Sequence, residues 1–189
     1  MKWLNYIIGL SSIFMCLAVS AQQPKKSQTV YTYYLVRHAE KDTGINPALK
    51  PAGYMRAGDL YRVLRHKKIG QIYVSQYRRT ALTSDSLRIY GKIDTVHYNV
   101  DVRGDDLLAK MEEQPVKQRV VLIIGHNNTI PVIIRRLGVK GFEMAEIPDN
   151  EYDNLYVVTV KGDKVLLKSL KYGKSSPPAE KPALMKPLQ

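Results

Sequence analysis

Three short segments carry the side chains best suited to chemistry: Arg37-His38-Ala39-Glu40-Lys41, Ser75 through Arg79-Thr80, and Gly125-His126-Asn127-Asn128. Together they offer two arginines and two histidines, with Lys41 close by in sequence. Such a set suits a phosphoryl group. Arginine forks match phosphate oxygens in pairs, and a neutral imidazole is a nucleophile near pH 7. Each piece alone says little, because an Arg-His step is ordinarily solvated and a Gly-His before a helix is ordinarily a turn. Their weight comes from position: each falls where a strand is predicted to end.

The elements that must position them follow from periodicity. Residues 31–36, Tyr-Thr-Tyr-Tyr-Leu-Val, are β-rich and long enough for a buried strand. Residues 71–75 and 95–98 read as shorter strands. Residues 119–124, Arg-Val-Val-Leu-Ile-Ile, are apolar on both faces, as at the centre of a covered sheet. Helices are predicted over 51–66, opened by Pro51, over 78–90, ended by Gly91, over 105–113, stopped by Pro115, and over 128–137. Residues 155–160 and 164–170 flank Gly162-Asp163 and predict an edge hairpin.

Strands alternating with helices define an α/β domain: a three-layer sandwich, its central sheet mostly parallel, with helices on both faces and an edge hairpin. In an open sheet of this kind ligands bind outside the carboxyl ends of the strands, so the three segments should converge there. The helix starting near Asn128 would aim free backbone N–H groups at the same anion. Loops 42–50 and 98–106 are expected to surround the pocket and choose the substrate.

A chain of 189 residues bounds the answer at one domain. Hydrophobic residues at 44% and charged residues at 24% exclude wholesale disorder and a multi-span membrane protein. Lys and Arg outnumber Asp and Glu by 29 to 17, a net charge of +12 that points to anionic partners. Cys16 is the only cysteine, which excludes an internal disulfide and a thiolate metal site. Residues 1–21 combine Lys2, an apolar run over 6–19 and Val19-Ser20-Ala21, the pattern of a secretory signal peptide. Export to a periplasm or beyond the cell is therefore expected, with no stable membrane insertion after cleavage. Residues 22–29 read as a linker and 30–172 as the folded domain. Residues 173–189, with four of the ten prolines, read as a flexible Pro/Lys-rich tail. No metal or other cofactor is expected, since no His/Asp cluster stands at ligand spacing. A nucleic-acid partner is not expected either, because no motif or aromatic-basic stripe accompanies the charge.

The sequence resembles the histidine phosphatase superfamily, the phosphoglycerate-mutase-like fold. The carrying residues are Leu35-Val36-Arg37-His38-Ala39-Glu40-Lys41, then Leu49-Lys50-Pro51-Ala52-Gly53, the stretch from Ser75 to Thr83, and Gly125-His126-Asn127. They occur in the family's order, and the segment from Glu151 to Leu155 looks like its closing strand. The resemblance implies that His38 is the nucleophile and becomes phosphorylated, while Arg37, Arg79 and His126 hold the phosphoryl oxygens. Lys41 and Asn127 would add substrate contacts, on a small phosphorylated substrate. Lys41 stands where mutases usually carry Ser or Thr, and Gly44 where they often have Asn, which disfavours a mutase. Asn127 replaces the acid of the phytase branch. A general acid would then be Asp101, or no acid is needed because a phosphohistidine or phosphoanhydride leaves more easily than an alkoxide. The resemblance thus points to a compact, metal-independent phosphatase. The alternative is a non-catalytic module of the same fold that binds phospholigands or an anionic surface.

Overall fold

The computed structural model describes residues 29–113 and 119–177. The predicted signal peptide, Pro115 and the end of the tail lie outside these residues. Six strands and four helices follow one another in the expected alternation: β1 (Val30–Arg37), α1 (Pro51–Leu64), β2 (Gln71–Ser75), α2 (Arg78–Gly91), β3 (Thr95–Tyr98), α3 (Asp105–Glu113), β4 (Val120–Gly125), α4 (Thr129–Arg136), β5 (Asn154–Lys161) and β6 (Lys164–Lys171). They form one sheet in the order β3-β2-β4-β1-β5-β6. The first four strands are mutually parallel, whereas β5 runs antiparallel to β1 and β6 antiparallel to β5.

The period-two alternation of the central strands sorts their side chains into two cores. Val36, Ile72, Val74, Leu122, Ile124 and Leu155 face one side, where Leu60 and Leu64 of α1 and Leu87 of α2 cover them. Leu35, Tyr73, Val121, Ile123, Tyr156 and Val158 face the other, under Leu107 of α3 and Ile130, Ile133 and Ile134 of α4. Both faces are thus apolar and covered, which is why β4 reads as a continuous hydrophobic run.

Element boundaries depart from expectation where tertiary demands intervene. Helix α1 stops at Leu64, two residues early, because Lys68 takes a positive φ of 53° and the chain turns to bury Ile69. Gly91 does not terminate α2 from outside; it is the last helical residue, and Lys92 adopts the left-handed conformation instead. Residues 173–177, which the sequence assigns to the tail, fold back against residues 150–153. Among the described residues no helix is long and apolar enough to cross a membrane.

Candidate functional site

The sheet order makes β1 and β4 neighbours although three helices separate them in sequence, so their carboxyl ends form a topological switch point. Arg37 pairs with Gly125 across this ladder, and the His38 N–H continues it to the Gly125 carbonyl at 2.9 Å. The two histidines that follow these strand ends are thereby brought together. Their rings meet edge-on with centroids 5.2 Å apart. Ser75, closing β2, reaches the same point. All three predicted segments converge.

His38 is buried, with 3% of its surface exposed. Its Nδ1 lies 2.8 Å from the Ala39 carbonyl, which can only accept, so Nδ1 carries the proton and Nε2 the lone pair. Among the described residues no hydrogen bond engages that Nε2. Burial, then the nearby His126, Arg79 and Arg37, push the ring's pKa down to about 3 against the Ala39 bond, which acts the other way. The neutral ring is therefore the resting form at neutral pH. The backbone around it is clamped: the Ala39 N–H donates to Thr83 Oγ1 on α2 at 2.9 Å. The Glu40 carboxylate accepts from Arg56 Nε and Nη2 on α1, the shortest contact being 2.7 Å. Gly53 permits this approach, because a Cβ there would sit 2.2 Å from the Glu40 carbonyl oxygen.

His126 has the opposite tautomer. Arg79 Nη2 donates to its Nδ1 at 3.2 Å, which leaves the proton on Nε2, directed at Ser75 Oγ at 2.9 Å. Ser75 Oγ in turn lies 3.1 Å from Thr80 Oγ1, whose own proton can go to the Tyr77 carbonyl at 2.7 Å. Burial, then Arg79 and Arg37, lower the His126 pKa to about 4. The Thr129 Oγ1 accepts from the His126 N–H and seats the start of α4 beneath the ring. That start falls one residue beyond the predicted Asn128, which gives no side-chain cap.

The arginines are held by the protein yet incompletely satisfied. Arg37, 5% exposed, donates through Nη1 to the carbonyls of Pro148, Asp149 and Glu151, and its guanidinium stacks 4.3 Å from the Tyr152 ring centroid. Arg79 stacks 4.3 Å from the Tyr77 ring centroid. In both, the Nε–H is buried without a hydrogen-bond partner among the described residues. Two orphaned cationic donors beside a neutral imidazole call for an anion, since each unsatisfied buried donor costs on the order of 1–3 kcal/mol.

The remaining candidates are less engaged with this centre. Asn127 Nδ2 donates to Asp149 Oδ1 at 3.1 Å, and the same oxygen lies 3.4 Å from Arg37 Nη2. Lys41 makes a backbone bridge with Leu49, and its ammonium forms no ion pair among the described residues. Asp101 lines a hollow of about 340 Å³ beside Asn128 and Thr129. Its two carboxylate oxygens accept from the N–H groups of Arg103, Asp105 and Asp106 at 2.8–3.0 Å, capping α3. Those bonds outweigh its burial and lower its pKa, the wrong direction for a proton donor. Loop 42–50 reaches α2 through Asn46 Oδ1, which accepts the Arg78 N–H at 2.8 Å. Sequence reasoning missed the parts played by Tyr152 and Tyr77 as guanidinium platforms. An aromatic residue within a few positions of a pocket arginine was the available signal for Tyr77, and nothing local marked Tyr152.

No family model matches this chain, and no curated protein matches it. Solved structures do. The protein described as phosphohistidine phosphatase SixA from Nakamurella multipartitia superposes with a TM-score of 0.58 at 18% identity, covering 77% of this chain and 96% of that one. SixA from Agrobacterium tumefaciens gives 0.55 at 22%, covering 74% and 97%. The Escherichia coli protein described as an α-ribazole-5'-P phosphatase gives 0.58 at 12%, covering 75% and 96%. These similarities establish the fold: the chain has the phosphoglycerate-mutase-like α/β architecture of the histidine phosphatases.

Proposed function

We propose that this protein is an exported, metal-independent phosphatase that works through a phosphohistidine at His38. The observation that carries the reading is the Nε2 lone pair of a buried His38, set among two arginines whose Nε donors, like that lone pair, have no hydrogen-bond partner among the described residues. A substrate phosphoryl group would take those donors, with Asn127 and Lys41 as further contacts. Its negative charge would oppose the guanidiniums and draw His126 toward its protonated, doubly donating form.

The Nε2 lone pair then attacks phosphorus in line. The N–P bond forms as the bond to the leaving oxygen or nitrogen breaks, and the leaving group departs with the electron pair. Arg37, Arg79 and His126 stabilise charge on the three equatorial oxygens, the work a metal cation performs elsewhere. Water attacks the phosphohistidine, breaks the N–P bond and restores the lone pair with release of inorganic phosphate. Because Asp101 is spent on capping α3, leaving groups that need no proton fit this site best: aryl phosphates, phosphoanhydrides and phosphoramidates such as a phosphohistidine. The SixA proteins, described as phosphohistidine phosphatases, agree with that substrate class.

The test is hydrolysis of an aryl phosphate by the chain from Gln22 onward, with a chelator present, beside His38→Ala. Turnover that vanishes in the variant is expected. Turnover that survives it would refute the nucleophile. Absence of turnover in both between pH 5 and 8, with phosphate still bound, would favour the phospholigand-binding module.

A further inference from the structure

Arg37 owes its position to one stretch of chain. All three carbonyls on its Nη1, and the ring beneath its guanidinium, belong to residues 148–152. The inner edge of this stretch is fastened by the Ile147 N–H, which donates to the Asn127 carbonyl at 3.0 Å, and by a turn in which the Glu151 N–H bonds Pro148. The outer edge is fastened by residues that the sequence assigns to a loose tail.

After β6, Tyr172 pairs its N–H with the Asp153 carbonyl at 2.9 Å. Gly173 then takes a φ of +66°, with Asp59 packed where a side chain would stand, and reverses the chain. The returning segment meets residues 150–153 at three points. The Tyr152 N–H donates to Ser176 Oγ at 2.9 Å, the Ser176 N–H donates to Asp153 Oδ2 at 3.1 Å, and Asn150 Nδ2 donates to the Pro177 carbonyl at 3.0 Å. Asp153 is itself 4% exposed and accepts from Lys171 at 2.9 Å through its other oxygen. Ser176 is therefore bonded on both sides to the residue that carries the Arg37 platform and to its buried neighbour.

Resting on the phosphatase reading of this site, we infer that Ser176, on the docked segment 174–177, is a positioning residue for phosphoryl binding. It fixes the backbone of Tyr152, and Tyr152 with the adjacent carbonyls fixes the Arg37 guanidinium. The segment is a strap on the active site. A strap serving only stability would leave ligand affinity alone once the protein is folded; one that positions Arg37 changes affinity and transition-state stabilisation while the fold persists.

Three substitutions in the full chain grade the contact. Ser176→Thr keeps the hydroxyl and the N–H, Ser176→Ala removes the hydroxyl, and Ser176→Pro removes both. The readouts are inorganic phosphate affinity by calorimetry, kcat and KM on an aryl phosphate, thermal midpoint, and hydrogen exchange at the Tyr152 amide. Ser176→Ala should weaken phosphate about fivefold, the size of one net hydrogen bond. Ser176→Pro should weaken it further and lower kcat, and Ser176→Thr should restore wild-type values. The Tyr152 amide should exchange faster in the same order, with the thermal midpoint nearly unchanged. Equal phosphate affinity in wild type and Ser176→Pro would overturn the inference alone. Failure of the wild type itself to bind phosphate would overturn the phosphatase reading and this inference with it.

Discussion

The two arginines of the site are built to different specifications. Arg37 ends a central strand, and its Nη1 is saturated by three backbone carbonyls. Arg79 lies in the first turn of a helix, and its guanidinium donates to His126 Nδ1. Backbone acceptors cannot rotate away, so Arg37 presents its free Nε in a fixed direction. Arg79 is tied to a side chain rather than to backbone, so its guanidinium is less rigidly held. Burial, with Arg37 adding to it, lowers the Arg79 pKa from its ordinary value, and the Tyr77 ring opposes that shift. One half of the site is held by backbone, and the other by a side chain.

The largest consequence is for substitution of Arg37. Arg37→Ala removes a preorganised charge and also leaves the part-buried carbonyls of Pro148, Asp149 and Glu151 without this donor. A loss of roughly 10³ in kcat/KM is expected, with lower stability. Arg79→Ala should cost roughly 10² and leave stability close to wild type. Arg79→Lys should recover part of the loss, whereas Arg37→Lys should not, since an ammonium cannot replace a fork held at several acceptors. Steady-state kinetics and thermal melts on the four variants check this. Equal losses and equal melts would break the comparison.

Acid stability sharpens it. Both histidines fold with a pKa below the ordinary 6.5, to about 3 for His38 and about 4 for His126. The unfolded chain therefore binds protons first as pH falls. Stability is full above about pH 6.5 and declines as pH drops toward the folded values. Each ring should account for about 1–2 kcal/mol of the difference between pH 7.5 and pH 5. His38→Gln should flatten the pH dependence of the thermal midpoint over this range, and His126→Gln should do so at least as far as pH 4. Parallel curves for wild type and both variants would contradict the burial of neutral rings.

The smallest effect belongs to Ser75. Ser75→Ala removes the acceptor that fixes the His126 tautomer and should lower kcat a few-fold with little change in KM. A change in KM alone would show that Ser75 serves binding rather than orientation.

How much of this was legible in the sequence depends on the range of the interactions involved. The strands are local facts of alternation and length, and the apolar run over 120–124 is central as its composition requires. The convergence of Arg37, His38, Arg79 and His126 was legible because each stands at a strand end or shortly after one, and parallel topology gathers such ends at one edge. Asp101 was ambiguous for a physical reason: an acidic residue before a helix is as fit to cap as to donate a proton, and its oxygens accept the N–H groups of Arg103, Asp105 and Asp106. The tail was illegible. Pro and Lys content describes a chain that cannot build a core of its own, yet residues 173–177 need none, since they add hydrogen bonds to an edge already formed. Tyr152, far from Arg37 in sequence, is brought to it by the return of β5 beside β1 and by the bond of its N–H to Ser176, both long-range.

The most direct test of the central claim is to quench the protein during turnover of an aryl phosphate and locate the covalent phosphoryl group by mass spectrometry under alkaline conditions. A single acid-labile phosphoryl group on His38, absent from His38→Ala and retained longer in a variant slowed at the water step, is the expected result. Turnover with no label on His38, or label on His126 instead, would contradict it.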